Sequence, residues 1–212
     1  LQGAFGAWTV TQRLQPLIVT AHLLGGVGLL GLLVWLALRE SPSAQVAVGA
    51  RRLLPLVALA LAAVVMQIAL GGWVSTNYAV LACTDFPRCQ GEWVPRLDFE
   101  HAFTLWRELG RTGQGEIIPF QALVTIHWVH RAFALVVVAA VGLLAWRAWG
   151  LEGVGRLVRW LLAVLALQLA TGISNVTLGW PLLAAVLHSG GAALLFALLV
   201  ALSLRAAGAR SR

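Results

Sequence analysis

Five apolar runs, each long enough to cross a bilayer and each separated from the next by charged or turn-forming residues, constrain this chain more than any other feature. They fall at roughly 16–38, 52–74, 119–146, 156–178 and 182–204, and a spanning helix needs about 20 mostly apolar residues. The bulk composition agrees: of 212 residues, 60% are hydrophobic and only 11% charged, with a mean hydropathy of +0.86. Five spans in this length leave no room for a sizeable soluble domain. The expected fold is all-α, a polytopic membrane helix bundle whose first partner is the lipid bilayer. Disorder, a small secreted scaffold and a soluble nucleotide-binding fold are excluded. Residues 1–12 are too few to cross and read as a helix stub. The chain opens inside a patterned stretch, Leu1-Gln2-Gly3-Ala4-Phe5-Gly6, with Met66 as its single methionine, and is therefore expected to be a piece of a longer protein or a processed one.

Charge orients the bundle. All fifteen basic residues are arginine, and the net charge of +7 is no nucleic-acid surface, because the arginines lie between apolar runs. The connections 39–52 and 147–159 and the tail 205–212 hold Arg39, Arg51, Arg52, Arg147, Arg156, Arg159, Arg205, Arg210 and Arg212 against Glu40 and Glu152. The positive-inside rule puts them, and the carboxyl terminus, in the cytoplasm. The long segment 75–118 carries Asp85, Glu92, Asp98, Glu100, Glu108 and Glu116 against four arginines and faces the other side. It also contains both cysteines, Cys83 and Cys89. In an oxidising compartment such a pair forms a disulfide, two unrelated free thiols being the alternative.

An internal repeat links the two ends. At an offset of 166, Gln2 matches Gln168, Gly6 matches Gly172, Val10-Thr11 match Val176-Thr177, His22 matches His188 and Gly25 matches Gly191, while Pro16 and Pro181 fall one residue out of step. The same Gln-x-x-x-Gly spacing recurs at Gln67 and Gly71. Shared glutamine, glycine, threonine and histidine in one order are not an artefact of leucine-rich helices.

Ionisable groups inside a membrane helix are costly and require a reason. His22 lies on the first span, His127, His130 and Arg131 on the third, His188 on the fifth. At a helical rise of about 1.5 Å per residue, His22 is about 9 Å in from Pro16 and His188 about 10 Å in from Pro181, so the two share a depth in the outer half. Imidazole is the usual protein ligand of a haem iron, and a helix bundle suits a flat macrocycle held between helices. Gly25 and Gly26 after His22, and Gly190 and Gly191 after His188, would let a porphyrin approach the backbone. Arg131 could hold a propionate through paired hydrogen bonds. Helix-to-helix hydrogen bonding is the bland reading of a lone membrane histidine, but several at one depth, two of them repeat-related, favour ligation.

The stretches Gln2 through Thr11, Gly71 through Ala79, Cys83 through Pro95, His127-Trp-Val-His130-Arg131 and Gln168 through His188 closely resemble the haem A synthase family, and the likeness runs over essentially the whole chain. It implies eight spanning helices in two pseudo-symmetric four-helix halves. Residues 1–38 would be the end of the first half, a helix stub and one spanning helix, and 52–206 the second half with the outer loop 75–118. The implied activity is oxidation of the C8 methyl of haem O, through an alcohol, to the formyl group of haem A for aa3-type cytochrome oxidases, with haem b as a cofactor that moves electrons. His130 and His188 match the family's haem b ligands, with Arg131 beside them. His22 matches a histidine that binds the substrate haem. A glutamate implicated in catalysis belongs to a helix expected to lie outside this chain, and the corresponding position in the second half is His127, assigned a substrate-side or supporting role. The Cys83 and Cys89 pair resembles the family's loop disulfide.

Haem O would be delivered by a haem O synthase, the electron donor stays open, a homo-oligomer is compatible, and the expected location is the bacterial inner membrane. The principal alternative is a dihaem b-type electron-transfer subunit using the same histidines without substrate chemistry. A thiol-oxidising protein built on Cys83 and Cys89 would need a second exchanging pair, and a purely structural bundle leaves His130, Arg131 and His188 without purpose in lipid.

Overall fold

The computed structural model describes residues 1–40 and 48–208; residues 41–47 of the first connection, and Arg210 and Arg212 of the tail, lie outside the described residues. All regular structure among the described residues is helical: α1 Gln2–Thr11, α2 Pro16–Arg39, α3 Leu54–Thr76, α4 Phe99–Ala102, α5 Phe120–Ala148, α6 Gly155–Thr177 and α7 Leu182–Gly208. Five of these, α2, α3 (with the 3-10 turn that leads into it), α5, α6 and α7, are long and apolar enough to cross a membrane. They start and stop within a few residues of the five apolar runs. The protein is a multi-pass membrane protein.

Helices α3, α5, α6 and α7 form a ring in which each packs on the next and α7 closes against α3. This makes α5 and α7 diagonal partners across the bundle centre. Helix α2 lies outside the ring against α7 and α3, and α1 packs along α2. The continuous apolar core occupies the end away from the long loop. There Val57, Val64, Val141, Leu144, Val158, Leu161, Leu199 and Leu202 are almost wholly buried, with Ala60, Ala145 and Ala148 between them. Small residues let helix backbones approach where there is no aqueous hydrophobic drive between them. Leu29, Leu32, Leu33 and Leu36 face outward from α2, as a lipid-facing stripe should.

The repeat is visible in backbone hydrogen bonds. At the α1–α2 turn, Gln12 N–H donates to Trp8 O and Leu14 N–H to Thr9 O; at the α6–α7 turn, Leu178 N–H donates to Ser174 O and Trp180 N–H to Asn175 O, each pair displaced by the same 166 positions. The residues that make the turn, Arg13 and Leu14 in one copy and Gly179 and Trp180 in the other, all have φ between 51° and 65°. Gln15 is the extra residue that puts the two prolines out of step. Its side chain accepts from Ile18 N–H and caps α2, and its amide donates to Leu105 O.

The segment between α3 and α5 folds back on the bundle. Trp73 Nε1–H donates to Ala102 O, Trp128 Nε1–H to Trp93 O, and Asp98 N–H to Thr125 Oγ1. Arg107 is buried beneath it, bonded to the Asn77 side chain and to Arg111 O, and burial lowers its pKa. Asp98 caps α4. Burial pulls its carboxyl upward, but bonds from the His101 N–H and imidazole outweigh this and hold it below the ordinary aspartate range.

Candidate functional site

One local device occurs three times. In each copy a histidine presses the Cε1 edge of its ring against a glycine of the neighbouring helix, four residues beyond a glutamine. A Cβ built on Gly6 would stand 3.2 Å from His22 Cε1, one on Gly71 3.1 Å from His130 Cε1, and one on Gly172 3.2 Å from His188 Cε1. Any other residue at these positions would crowd the ring, so the glycines are sockets. In two copies the glutamine amide ties down the histidine's backbone: Gln2 Nε2–H donates to His22 O at 2.6 Å and Gln67 Nε2–H to His130 O at 3.0 Å. The Gln-x-x-x-Gly spacing read from sequence is thus the signature of a histidine seat. Its meaning could not be read along the chain, because the histidine sits on a different helix.

The structure brings two of the seats together. His130 on α5 and His188 on α7 face each other across the bundle centre, ring centroids 6.4 Å apart and planes inclined at 76°. Two imidazoles holding one metal through bonds of about 2 Å have ring centres roughly 6 Å apart, so the pair fits a shared iron. A Cβ on Gly71 would stand 3.6 Å from His130 Nδ1, and one on Gly172 3.6 Å from His188 Nδ1. His22 sits in the α1–α2 socket, and its Nδ1 is buried with no hydrogen-bond partner among the described residues.

His127, a turn before His130, is buried and accepts the Cys83 N–H on Nδ1 at 3.3 Å. A neutral imidazole that accepts on one nitrogen carries its proton on the other, so His127 is tied to the loop backbone through Nδ1. Arg131 reaches the loop: Nη1–H donates to Asp85 O at 3.0 Å, and Nη2–H to Pro87 O at 2.9 Å and Arg88 O at 3.0 Å, with Phe86 under the guanidinium. Those carbonyls lie between Cys83 and Cys89, whose Cα atoms are paired at 4.7 Å. Asp85 organises the same loop by accepting from Gln90 N–H and Gly91 N–H.

The glycines that follow the histidines have a different neighbour from the one expected. A Cβ on Gly25, Gly26 or Gly191 would run into the side chain of Gln2 or Gln168, whereas Gly190 faces open space. Sequence reasoning passed over Gln67, Gln168 and Thr171 as functional residues, although the first two stood in the repeat.

The site is a pair of facing imidazoles inside a membrane helix bundle. The model of the COX15-CtaA family, described as cytochrome oxidase assembly protein, matches residues 1–200, and the chain belongs to that family. It is 41% identical over 204 residues to a protein named heme A synthase from Shewanella oneidensis, covering 95% of this chain and 62% of that one. It is 34% identical over 210 residues to a heme A synthase of Methylobacterium sp. (strain 4-46), covering 95% and 56%, and 33% identical over 209 residues to one of Caulobacter sp. (strain K31), covering 93% and 57%. The chain spans a little over half the length of these curated relatives.

Proposed function

We propose that this chain carries the haem b site and part of the substrate site of a haem A synthase, an oxidoreductase that converts the C8 methyl of haem O to the formyl group of haem A. The observation that carries this reading is the pair of glycine-seated imidazoles on diagonal helices, 6.4 Å apart, in a chain of this family. Haem b, when bound, supplies one-electron chemistry. His130 and His188 would hold it, and the sockets at Gly71 and Gly172 seat their rings. Arg131 keeps the outer loop closed over this end of the bundle and has further donors for a propionate. His127 ties the root of that loop to α5. His22, in the matching seat, binds the substrate haem, whose remaining contacts lie outside the residues described. Residues 52–206 then act as one four-helix half and 1–38 as the end of another, supported by the shared turn geometry.

The protein lies in the bacterial inner membrane with its arginine-rich end and carboxyl terminus in the cytoplasm. The loop faces the oxidising side, where Cys83 and Cys89 form a disulfide. Haem O arrives from a haem O synthase.

The test is the haem content of the protein purified from membranes of cells that make haem O. Extraction should yield haem b together with haem O or haem A. Haem b alone, in the presence of available haem O, would support the dihaem electron-transfer reading instead.

A further inference from the structure

Thr171 separates the third seat from the other two. It is buried on α6, three residues after Gln168, and the matching positions after Gln2 and Gln67 are Phe5 and Leu70, which have no hydroxyl. Thr171 Oγ1 stands 2.8 Å from Leu167 O, 3.2 Å from Gln168 O and 3.1 Å from His188 Nδ1. A hydroxyl has a single hydrogen, and the shortest contact takes it, donating to Leu167. What Thr171 turns toward the imidazole is a lone pair, so His188 Nδ1–H is the donor. The Gln168 carbonyl, a second acceptor beside the same ring, selects the same tautomer. The Nε2 lone pair is left for a metal.

We infer that Thr171 is a positioning residue for the haem ligand His188, holding it as the Nδ1–H tautomer and making it the more electron-donating of the two ligands. The inference rests on the haem b assignment to His130 and His188. The polar group against the His130 ring is the Gln67 amide nitrogen, at 3.3 and 3.4 Å from the two ring nitrogens, which is a donor and offers that ring no acceptor. The two imidazoles are therefore inequivalent. A ligand that donates its distal N–H becomes more basic. It then stabilises ferric over ferrous iron and lowers the midpoint potential.

The experiment compares Thr171→Val, which keeps the shape and removes the acceptor, with Thr171→Ser, which keeps the hydroxyl, in the haem-loaded protein. Thr171→Val should raise the haem b midpoint potential, by up to about tenfold in ferric preference or about 59 mV for one electron, and alter the low-spin EPR signal. Thr171→Ser should restore both. Wild-type potential and EPR in Thr171→Val, with His188→Ala still losing the signal, would leave the haem assignment standing and overturn the inference. Survival of that signal in His188→Ala would overturn both. If the valine variant does not fold, 15N NMR of the reduced wild-type protein decides: the His188 proton is expected on Nδ1, and a proton on Nε2 contradicts the proposal.

Discussion

Leucine in place of Gly71 or Gly172 is expected to empty the proposed haem b site while leaving the bundle inserted. The Cβ alone would stand 3.1 or 3.2 Å from the imidazole Cε1, and the remaining side-chain carbons would occupy the volume the ring now fills. Overpacking of this kind costs about 1–3 kcal/mol where the surroundings can shift. Here the ring itself must shift, and ligation tolerates little displacement, so haem b retention should fall about 10- to 100-fold. Alanine at the same positions needs the ring to yield only a few tenths of an ångström and should give a partial loss with a perturbed spectrum. Gly142 on α5 has nothing within 4 Å of a built Cβ, and Gly142→Ala should be neutral or slightly stabilising. Haem b per mole of protein, measured as the pyridine haemochrome, reads the series. Full haem b in Gly71→Leu and Gly172→Leu would remove the socket from the account.

Arg131→Ala should open the outer loop. The guanidinium holds three loop carbonyls, those of Asp85, Pro87 and Arg88, and hydrogen bonds to a charged group are worth about 1.5–3 kcal/mol each. Two of the three are exposed to solvent and the three are not additive, so the expected loss is about 2–3 kcal/mol. This corresponds to a roughly 30- to 150-fold rise in the open population. Amide exchange at Gln90 and Gly91, whose N–H groups bind Asp85, should accelerate by that factor. Arg131→Lys, a point donor in place of a fork, should fall between. Unchanged exchange would mean that the cysteine pair and His127 hold the loop without Arg131.

The five spans were legible because bilayer thickness sets helix length and leaves few ways to satisfy backbone groups in lipid. The repeat was legible too, down to the offset at which two backbone bonds of the α1–α2 turn recur in the α6–α7 turn. Direction around a helix was harder to read. His130 and Arg131 are adjacent in sequence, yet successive side chains on a helix diverge by about 100°, so one faces the bundle centre and the other the loop. Sequence placed Arg131 beside the candidate haem ligand His130 without revealing that three backbone carbonyls would take three of its donors. For the same reason Gly25 and Gly191 read as room for a porphyrin, whereas the nearest occupant is a glutamine from the neighbouring helix. Thr171 carried no signal, because its role depends on a hydrogen already spent within its own helix.

The central proposal, that His130 and His188 would together hold one haem b, is tested most directly by low-temperature EPR of the oxidised protein carrying His130→Ala, His188→Ala and His127→Ala singly. The account predicts one low-spin signal of two inclined imidazoles, lost in each of the first two variants and retained in His127→Ala. Retention of an unaltered low-spin signal in both His130→Ala and His188→Ala, with its loss in His127→Ala, would contradict it.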